Sequence, residues 1–129
     1  MEIDFKKDTG LIPAIIQDER TGDVLMLGFM NSESLAETQR TGDVVFFSRS
    51  RNKLWKKGES SGHVLRVRQL LVDCDADALL VRVEAAGPGV CHEGYRSCFF
   101  RKVEPDGSAA VIAERTFAPE RVYGSEQTR

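Results

Sequence analysis

The most informative stretch of this sequence is VLRVRQLLVDCDADALLVRVEAA, Val64–Ala86, in which two apolar runs flank a short acidic segment. Both runs are several residues long and rich in branched aliphatic side chains, a composition that is typical of β-strands. We therefore predict two long strands here, or one strand with a break near Asp75–Asp77. Either arrangement makes strands the main structural element of the chain.

Shorter apolar runs on both sides of this stretch predict two hairpins. LIPAIIQD (11–18) and VLMLGFM (24–30) are joined by ERTGD, whose Thr-Gly-Asp favours a turn. FFRKV (99–103) and AAVIAE (109–114) flank EPDGS, which is a second turn sequence. A further strand is expected at VVFFS (44–48).

The segment NSESLAETQRTGD predicts one short helix between these strands. Asn31 or Ser32 can cap its amide end, Glu33 lies in the favourable first turn, and Gly42 suits its exit. We place the helix near Ser32–Arg40. The predicted fold class is therefore a strand-rich α+β domain with one short helix in the N-terminal half.

The composition indicates one compact domain without a strong net charge. A chain of 129 residues, of which 41% are hydrophobic, can bury a single core. We expect this domain over residues 1–116 and a polar, partly disordered tail over residues 117–129. The formal net charge of -2 provides no basic field for nucleic acid or an anionic membrane.

The compartment can also be predicted from the sequence. It has no signal-peptide pattern and no apolar run near the ~20 residues that a membrane span needs, so we expect a cytoplasmic protein. All three cysteines lie between Cys74 and Cys98. In a reducing compartment such thiols more often bind metal, react or pack than form disulfides.

Aspartates stand at every second position of the acidic segment. In an extended strand Asp73, Asp75 and Asp77 would share one face and Cys74 would point to the other, so carboxylates and thiol would serve different sites. Oxygen ligands suit magnesium, but full extension separates the outer aspartates by roughly 13 Å. Either the chain bends here or only two of the three aspartates bind one ion. The alternative is a solvated strand end; an EF-hand loop is excluded because Ala78 takes its glycine position.

The cysteines point to a second kind of metal site. Cys91 and Cys98 flank HEGYRS, a spacing that is weak evidence alone, and Cys74 makes at most three sulfur ligands. Three protein ligands leave a fourth position for water, which is typical of a catalytic zinc and lowers the pKa of that water toward ~7. The alternative is that the thiols pack or react singly. His92 can be a ligand or an acid and base, and His63 is the only other histidine.

Residues 49–62, RSRNKLWKKGESSG, are polar, basic and rich in Gly and Ser, which predicts a loop between strands. Its cations and small residues can hold a phosphate, and Trp55 can stack on a base. The alternatives are a solvated lysine-rich loop or nonspecific RNA binding, against which the single tryptophan and the acidic chain argue. The cations of this loop are Arg49, Arg51, Lys53, Lys56 and Lys57.

Three motifs in order resemble the phosphoribosyl-AMP cyclohydrolase family of histidine biosynthesis: GFMNSESLAETQRTGDVVFFSRSRNKLWKKGESSGH, DCDADALL and CHEGYRSCFFR. The resemblance runs from about Ile12 to Arg101. It implies an intertwined homodimer in which zinc is bound by Cys74 of one subunit and by Cys91 and Cys98 of the other. It also implies magnesium at the three aspartates, Asp73, Asp75 and Asp77. The segment GPGV before Cys91 departs from the shorter family pattern.

The resemblance further implies a reaction and its substrate. The family hydrolyses the N1–C6 bond of N1-(5-phosphoribosyl)-AMP and gives a formimino aminoimidazole carboxamide ribotide. His92 is the preferred proton carrier and His63 the second choice. Many members carry a fused pyrophosphohydrolase domain, so we expect a separate phosphoribosyl-ATP pyrophosphohydrolase as a candidate partner here. The residues expected to bind substrate are Ser48, Arg49, Arg51, Trp55, Lys57, Glu59, Ser60, Ser61 and Gly62.

Two other functions compete with this one. A zinc deaminase would act at the same purine carbon, but no PCxxC follows an HxE in this sequence. A zinc-stabilised binding or redox-sensing module would use the thiols for structure only. Zinc content cannot distinguish the module from the enzyme, because a structural zinc and a catalytic zinc have the same stoichiometry. A measurement of turnover can.

Overall fold

Strands dominate the protein, as the sequence predicts. The computed structural model describes residues 2–7 and 9–123. Its elements are, in chain order, β1 (Ile12–Asp18), β2 (Val24–Met30), α1 (Ser32–Thr41), β3 (Val45–Ser48), β4 (Lys53–Lys56), β5 (Leu65–Val72), β6 (Leu79–Ala85), β7 (Arg101–Val103), β8 (Ala109–Val111) and α2 (Pro119–Tyr123).

A four-stranded sheet in the order β2-β1-β6-β5 forms the centre of the fold. The outer pairs β1–β2 and β5–β6 are antiparallel hairpins, and the central pair β1–β6 is parallel. The N-terminal hairpin and the two long strands of Val64–Ala86 are thereby confirmed. Alternate side chains of β1 and β6 are buried on one face, as a sheet covered on one side requires.

Helix α1 and the β3–β4 hairpin cover the buried face. The helix is confirmed: the Asn31 side chain accepts a hydrogen bond from the Ser34 amide at 2.8 Å, and the Ser34 hydroxyl accepts one from the Asn31 amide at 2.9 Å. This capping box satisfies backbone donors that a helix start otherwise leaves unpaired. Leu35 of α1 and Phe46 of β3 then pack into the core beneath the sheet.

The prediction that residues 49–62 form only a loop is wrong. They contain β4, which pairs with β3 so that Trp55 lies opposite Phe46, with their rings 5.6 Å apart. The basic composition hid this strand, because its apolar side chains are few. Their contact with the core outweighs the weak local propensity of the surrounding lysines.

The C-terminal region matches the sequence prediction in part. The β7–β8 hairpin is confirmed, and all residues of its two strands are exposed, including Val103 and Val111. The expected tail contains a short second helix, α2, so the described residues hold two helices rather than one. Residues 124–129 of that tail lie outside the described residues.

The second face of the sheet carries an apolar row that crosses all four strands. Leu27, Ile15, Leu80 and Leu71 are neighbours in register, and Leu27 and Leu71 are 43% and 40% exposed. No helix of the described part of the chain is long and apolar enough to cross a membrane. A cytoplasmic location stays a prediction.

Candidate active site

Two cysteines meet in a closed turn after strand β6, which we call the thiol turn (Cys91–Cys98). The Cys91 amide donates to the Tyr95 carbonyl at 3.1 Å, and the Gly94 amide donates to the Cys91 carbonyl at 3.0 Å. The Tyr95 and Phe100 rings stack at 3.7 Å and pack against both cysteines, and Cys91 is buried. The turn therefore holds its two sulfur atoms in a compact, largely dry setting.

The thiol turn suits a thiophilic metal. A hydrogen bond from Cys98 lowers the pKa of the Cys91 thiol to about 6, although burial alone raises it. Cys91 is therefore largely a thiolate at neutral pH, and the thiolate is the form that binds zinc. The donor chemistry of Cys91 and Cys98 thus fits two of the ligands of a zinc site.

His92 links the thiol turn to a groove. Its Nδ1 atom is buried and has no hydrogen-bond partner among the described residues. A buried polar atom in this state is costly unless a ligand, metal or substrate completes it. His92, the neighbour of Cys91 in the chain, also lines an open groove of about 870 Å³, so a molecule in the groove can contact this histidine.

The groove has an aromatic floor and a polar rim. Gly28 lies on the floor, where a Cβ atom would stand 2.5 Å from the Phe46 ring, so only glycine permits this close approach. The guanidinium of Arg49 lies 3.9 Å from the centre of the Phe29 ring. The residues that line the groove are Met26, Leu27, Gly28, Phe29, Phe46, Phe47, Ser48, Arg49, Ser50, Trp55 and His92.

The aspartates lie in a second turn, the aspartate turn (Asp73–Ala78), which joins β5 to β6. Of the arrangements that the sequence left open, the structure has the bend, so the separation of carboxylates and thiol that an extended strand would give is not found. One carboxylate oxygen of Asp73 accepts from the amides of Asp77 at 3.0 Å and Ala78 at 3.3 Å, and the Asp73 amide donates to Ala78. These bonds bend the chain, because an aspartate side chain can take over the backbone pairing of a strand.

The bend brings groups together that alternation would separate. The Cys74 thiol is exposed and donates to the Asp75 carboxylate at 3.4 Å. Asp77 forms an ion pair with Lys7 at 3.2 Å, and the hydrogen bond in this pair raises the pKa of Lys7. Thiol and carboxylates are therefore neighbours in the aspartate turn.

The two turns lie at opposite ends of strand β6. The seven residues of this strand span roughly 20 Å and separate Cys74 from Cys91 along the chain. Among the described residues, no three His, Cys, Asp or Glu side chains are grouped to hold a metal ion. Each turn therefore offers only part of a metal site.

Comparison with known proteins identifies the family. Residues 26–100 match the family model for phosphoribosyl-AMP cyclohydrolase. The chain is 55% identical to the phosphoribosyl-AMP cyclohydrolase of Solibacter usitatus over 98% of this chain and 99% of that protein. It is also 55% identical to the enzymes of that name from Pelotomaculum thermopropionicum and Methanococcoides burtonii, over 91% and 88% of this chain.

The chain belongs to the phosphoribosyl-AMP cyclohydrolase family. The resemblance predicted from the three motifs is thereby confirmed, and the chain is a hydrolase. Family membership also disfavours the deaminase and the purely structural zinc module. The roles of individual residues stay predictions, which the geometry above can now sharpen.

The structure brings only some of the predicted substrate residues to the groove. Ser48, Arg49 and Trp55 line it. Lys57 is buried instead, and its ammonium donates to the Val90 carbonyl at 2.6 Å. The remaining residues predicted to bind substrate do not line the groove: Arg51, Glu59, Ser60, Ser61 and Gly62.

His63 occupies a supporting position. Its Nδ1 atom lies 3.0 Å from the Gly89 carbonyl, so this nitrogen must carry the proton and donate. Its ring packs edge-on against Phe117 and so closely over Gly87 that a Cβ atom there would lie 2.4 Å from it. His63 therefore holds the GPGV segment that leads into Cys91.

Sequence reasoning missed the aromatic and backbone parts of the groove. Phe29, Phe47 and Ser50 line it, yet only the β2 and β3 strands, which share contacts across the core, bring them together. The signal that was available is the run VVFFS, whose Phe46 and Phe47 point to opposite faces of one strand. Both residues line the groove, and Phe46 is also part of the core.

Proposed function

We propose that this protein hydrolyses the N1–C6 bond of N1-(5-phosphoribosyl)-AMP and so opens its purine ring. Family membership supports the reaction class, since relatives named for this activity match nearly the whole chain. The observation that carries the assignment of the site is the Nδ1 atom of His92, a residue of the thiol turn that lines the groove; this atom is buried and has no hydrogen-bond partner among the described residues. That position is the one a proton carrier needs.

The groove suits a nucleotide with two phosphates. Trp55 and Phe29 offer apolar ring surfaces, on which a purine can stack. Arg49 is exposed beside them, and Ser48 and Ser50 offer hydroxyl groups, which suit a phosphate. The described groove thus combines a stacking surface with anion-binding groups.

We further propose that zinc is bound between the subunits of a homodimer. Cys91 and Cys98 of one subunit would supply two thiolates, and Cys74 of the other would supply the third. The exposure of Cys74 and its distance from the thiol turn support this division. The exposed apolar row and the β7–β8 hairpin, which have little cover in the described chain, support an intertwined dimer.

Magnesium would be bound by the aspartate turn together with the substrate. Asp73 gives one oxygen to the backbone, Asp75 gives one to the Cys74 thiol and Asp77 gives one to Lys7, so each carboxylate keeps a second oxygen that can face a cation. Magnesium commonly takes one or two carboxylates and completes its shell with water and substrate phosphates. A magnesium ion in this turn would therefore orient a phosphate of the substrate.

The chemistry follows from the substrate and from His92. Alkylation at N1 makes C6 electron-poor, so the oxygen of water adds to C6 and the N1–C6 bond breaks. C6 becomes a carboxamide carbon, and N1 leaves as part of the formimino group. Zinc supplies Lewis acidity, which makes water more nucleophilic at neutral pH. His92 would take a proton from the water and return it to N1.

Ultraviolet absorbance during ring opening tests this proposal. Purified protein loaded with zinc and mixed with magnesium and phosphoribosyl-AMP should show turnover, and a zinc chelator should abolish it. Zinc restored after removal of the chelator should restore the rate. Folded, zinc-loaded protein without turnover would refute the proposed reaction. We also propose that a separate phosphoribosyl-ATP pyrophosphohydrolase supplies the substrate.

A further inference from the structure

Arg96 lies in the middle of the thiol turn, but its side chain reaches back to the β1–β2 hairpin. Its Nη2 donates to the Asp18 carboxylate at 2.7 Å and to the Thr21 hydroxyl at 3.0 Å. Its Nη1 donates to the Asp23 carboxylate. One guanidinium therefore contacts three side chains at the end of β1 and in the turn that follows it.

The carboxylate partners of Arg96 are themselves held in place. Asp18 is buried, and its other carboxylate oxygen accepts from the amides of Arg20 at 2.8 Å and Thr21 at 3.3 Å. Both oxygens of Asp18 are thus occupied, and its position is fixed by the backbone of the turn. A planar guanidinium between two carboxylates is a directional contact that a lysine cannot reproduce.

The two cysteines of the thiol turn are anchored in different ways. The Cys98 amide donates to the Leu25 carbonyl at 2.7 Å, and the neighbouring Ser97 hydroxyl donates to the Val24 carbonyl at 2.8 Å. Cys98 is therefore fixed directly to strand β2. Cys91 has no such bond to the hairpin, because its amide donates within the turn to Tyr95.

Arg96 closes this gap. Its own carbonyl accepts from the Val90 amide at 3.1 Å, next to Cys91, while its side chain holds Asp18 and Asp23. The Cys91 half of the turn and the hairpin that anchors Cys98 thus share one rigid connection.

We propose that Arg96 is a positioning residue that sets the spacing of the Cys91 and Cys98 thiols before zinc binds. This inference rests on the proposed zinc site. The side chain of Arg96 donates to Asp18, Thr21 and Asp23 and to neither thiol. Its effect on the thiols is therefore indirect, through the backbone of the thiol turn. The β1–β2 turn, more than 70 residues away in sequence, is thereby part of the metal site.

Metal binding by full-length Arg96→Met protein tests the inference. Outer partners of metal ligands commonly change metal affinity by about 10-fold or more, so we expect a loss of that size in a zinc competition titration. The cobalt-substituted variant should also show altered d–d absorption, which a loss of global stability alone would not produce. Arg96→Lys should fall between Arg96→Met and the unaltered protein.

Arg68→Met is the matched control. Arg68 also contacts two carboxylates, Glu84 and Glu19, and Glu19 lies in the same β1–β2 turn. The recorded contacts of Arg68 do not include the thiol turn, so its zinc affinity and cobalt spectrum should remain those of the unaltered protein. An equal loss in Arg68→Met would assign the effect to the hairpin in general and overturn the inference.

Further outcomes separate this inference from the proposed function. Unchanged zinc affinity and an unchanged cobalt spectrum in folded Arg96→Met would overturn it. If Arg96→Met does not fold, Asp23→Asn is the substitute, because it removes one carboxylate partner of Arg96 at an exposed position. Unchanged zinc affinity in Asp23→Asn would also overturn the proposed role of Arg96. Zinc binding without turnover in the unaltered protein would refute the reaction and leave the role of Arg96 standing. Absence of zinc binding would refute both.

Discussion

The thiol turn and the aspartate turn hold their candidate metal ligands in opposite ways. The thiol turn buries Cys91 beside the stacked Tyr95 and Phe100 rings, and Ser97 and Arg96 tie it to the β1–β2 hairpin. The aspartate turn is held mainly by its own backbone, and it presents Cys74 to the outside. In the proposed dimer, the thiol turn would supply two ligands that the fold already holds together, and the aspartate turn would supply Cys74 to the second subunit.

The largest expected effects come from the two cysteines that the proposal places in one zinc site. Cys91→Ala and Cys74→Ala should each lower turnover by roughly 1,000-fold, because the metal supplies several kcal/mol of transition-state stabilisation. Their folding should differ: urea unfolding should show a loss of about 1 kcal/mol for buried Cys91 and almost none for exposed Cys74. Full turnover in Cys74→Ala would contradict a zinc site that combines the aspartate turn with the thiol turn.

His92→Gln should have the next largest effect. Loss of a positioned acid and base commonly costs on the order of 100-fold in turnover, while the two thiols still bind zinc. Steady-state rates and zinc content measured on the same sample check this. His63→Gln is the control, since His63 supports the Gly89 carbonyl and should affect the rate less. A greater loss in His63→Gln would transfer the proton role to that residue.

Asp75→Asn should affect magnesium more than zinc. The magnesium concentration for half-maximal activity should rise by about 10-fold, since an amide is a poorer ligand for a hard cation. A smaller fall in zinc affinity is expected too, because the Cys74 thiol donates to Asp75. Asp106→Asn, in the β7–β8 turn, serves as the surface control. Loss of zinc without a change in magnesium dependence would contradict this account of the aspartate turn.

The smallest expected effect is a shift in the titration of the thiol turn. In metal-free protein the Cys91 thiolate should titrate near pH 6, and Cys98→Ala should raise that midpoint, since Cys98 is the main cause of the low pKa. A lowered pKa stabilises the folded state fully above the ordinary value of 9.0, and this contribution is lost as pH falls through about 6. Thiolate absorbance near 240 nm checks the midpoint, and an unchanged midpoint in Cys98→Ala would contradict it.

The sequence predicts most of the fold because its strands and helix carry strong local signals. The capped segment after Asn31 and the apolar runs around Asp73–Ala78 fold as their patterns indicate. Strand β4 was missed because its stability comes from Trp55 against Phe46, a contact between strands that composition does not reveal. The bend at Asp73 was left open, since alternation describes strands and says nothing about a side chain that caps a turn.

The site was predictable in its chemistry and less so in its geometry. Thiols, carboxylates and His92 follow from residue types, but the burial of Lys57 depends on a carbonyl 33 residues away. Charge in a basic loop predicted a phosphate contact for this lysine, whereas the fold uses its ammonium to hold the segment before Cys91. Arg96 escaped prediction for the same reason, because its partners belong to a distant hairpin.

Subunit mixing tests the central claim that each active site is divided between two chains. Cys74→Ala and Cys91→Ala protein, each inactive, should be dissociated together and allowed to reassociate. Half of the dimers are then mixed, and each mixed dimer holds one intact site, so about a quarter of the unaltered activity should return. Mixed dimers that form but show no activity would contradict a site shared between the thiol turn of one subunit and the aspartate turn of the other.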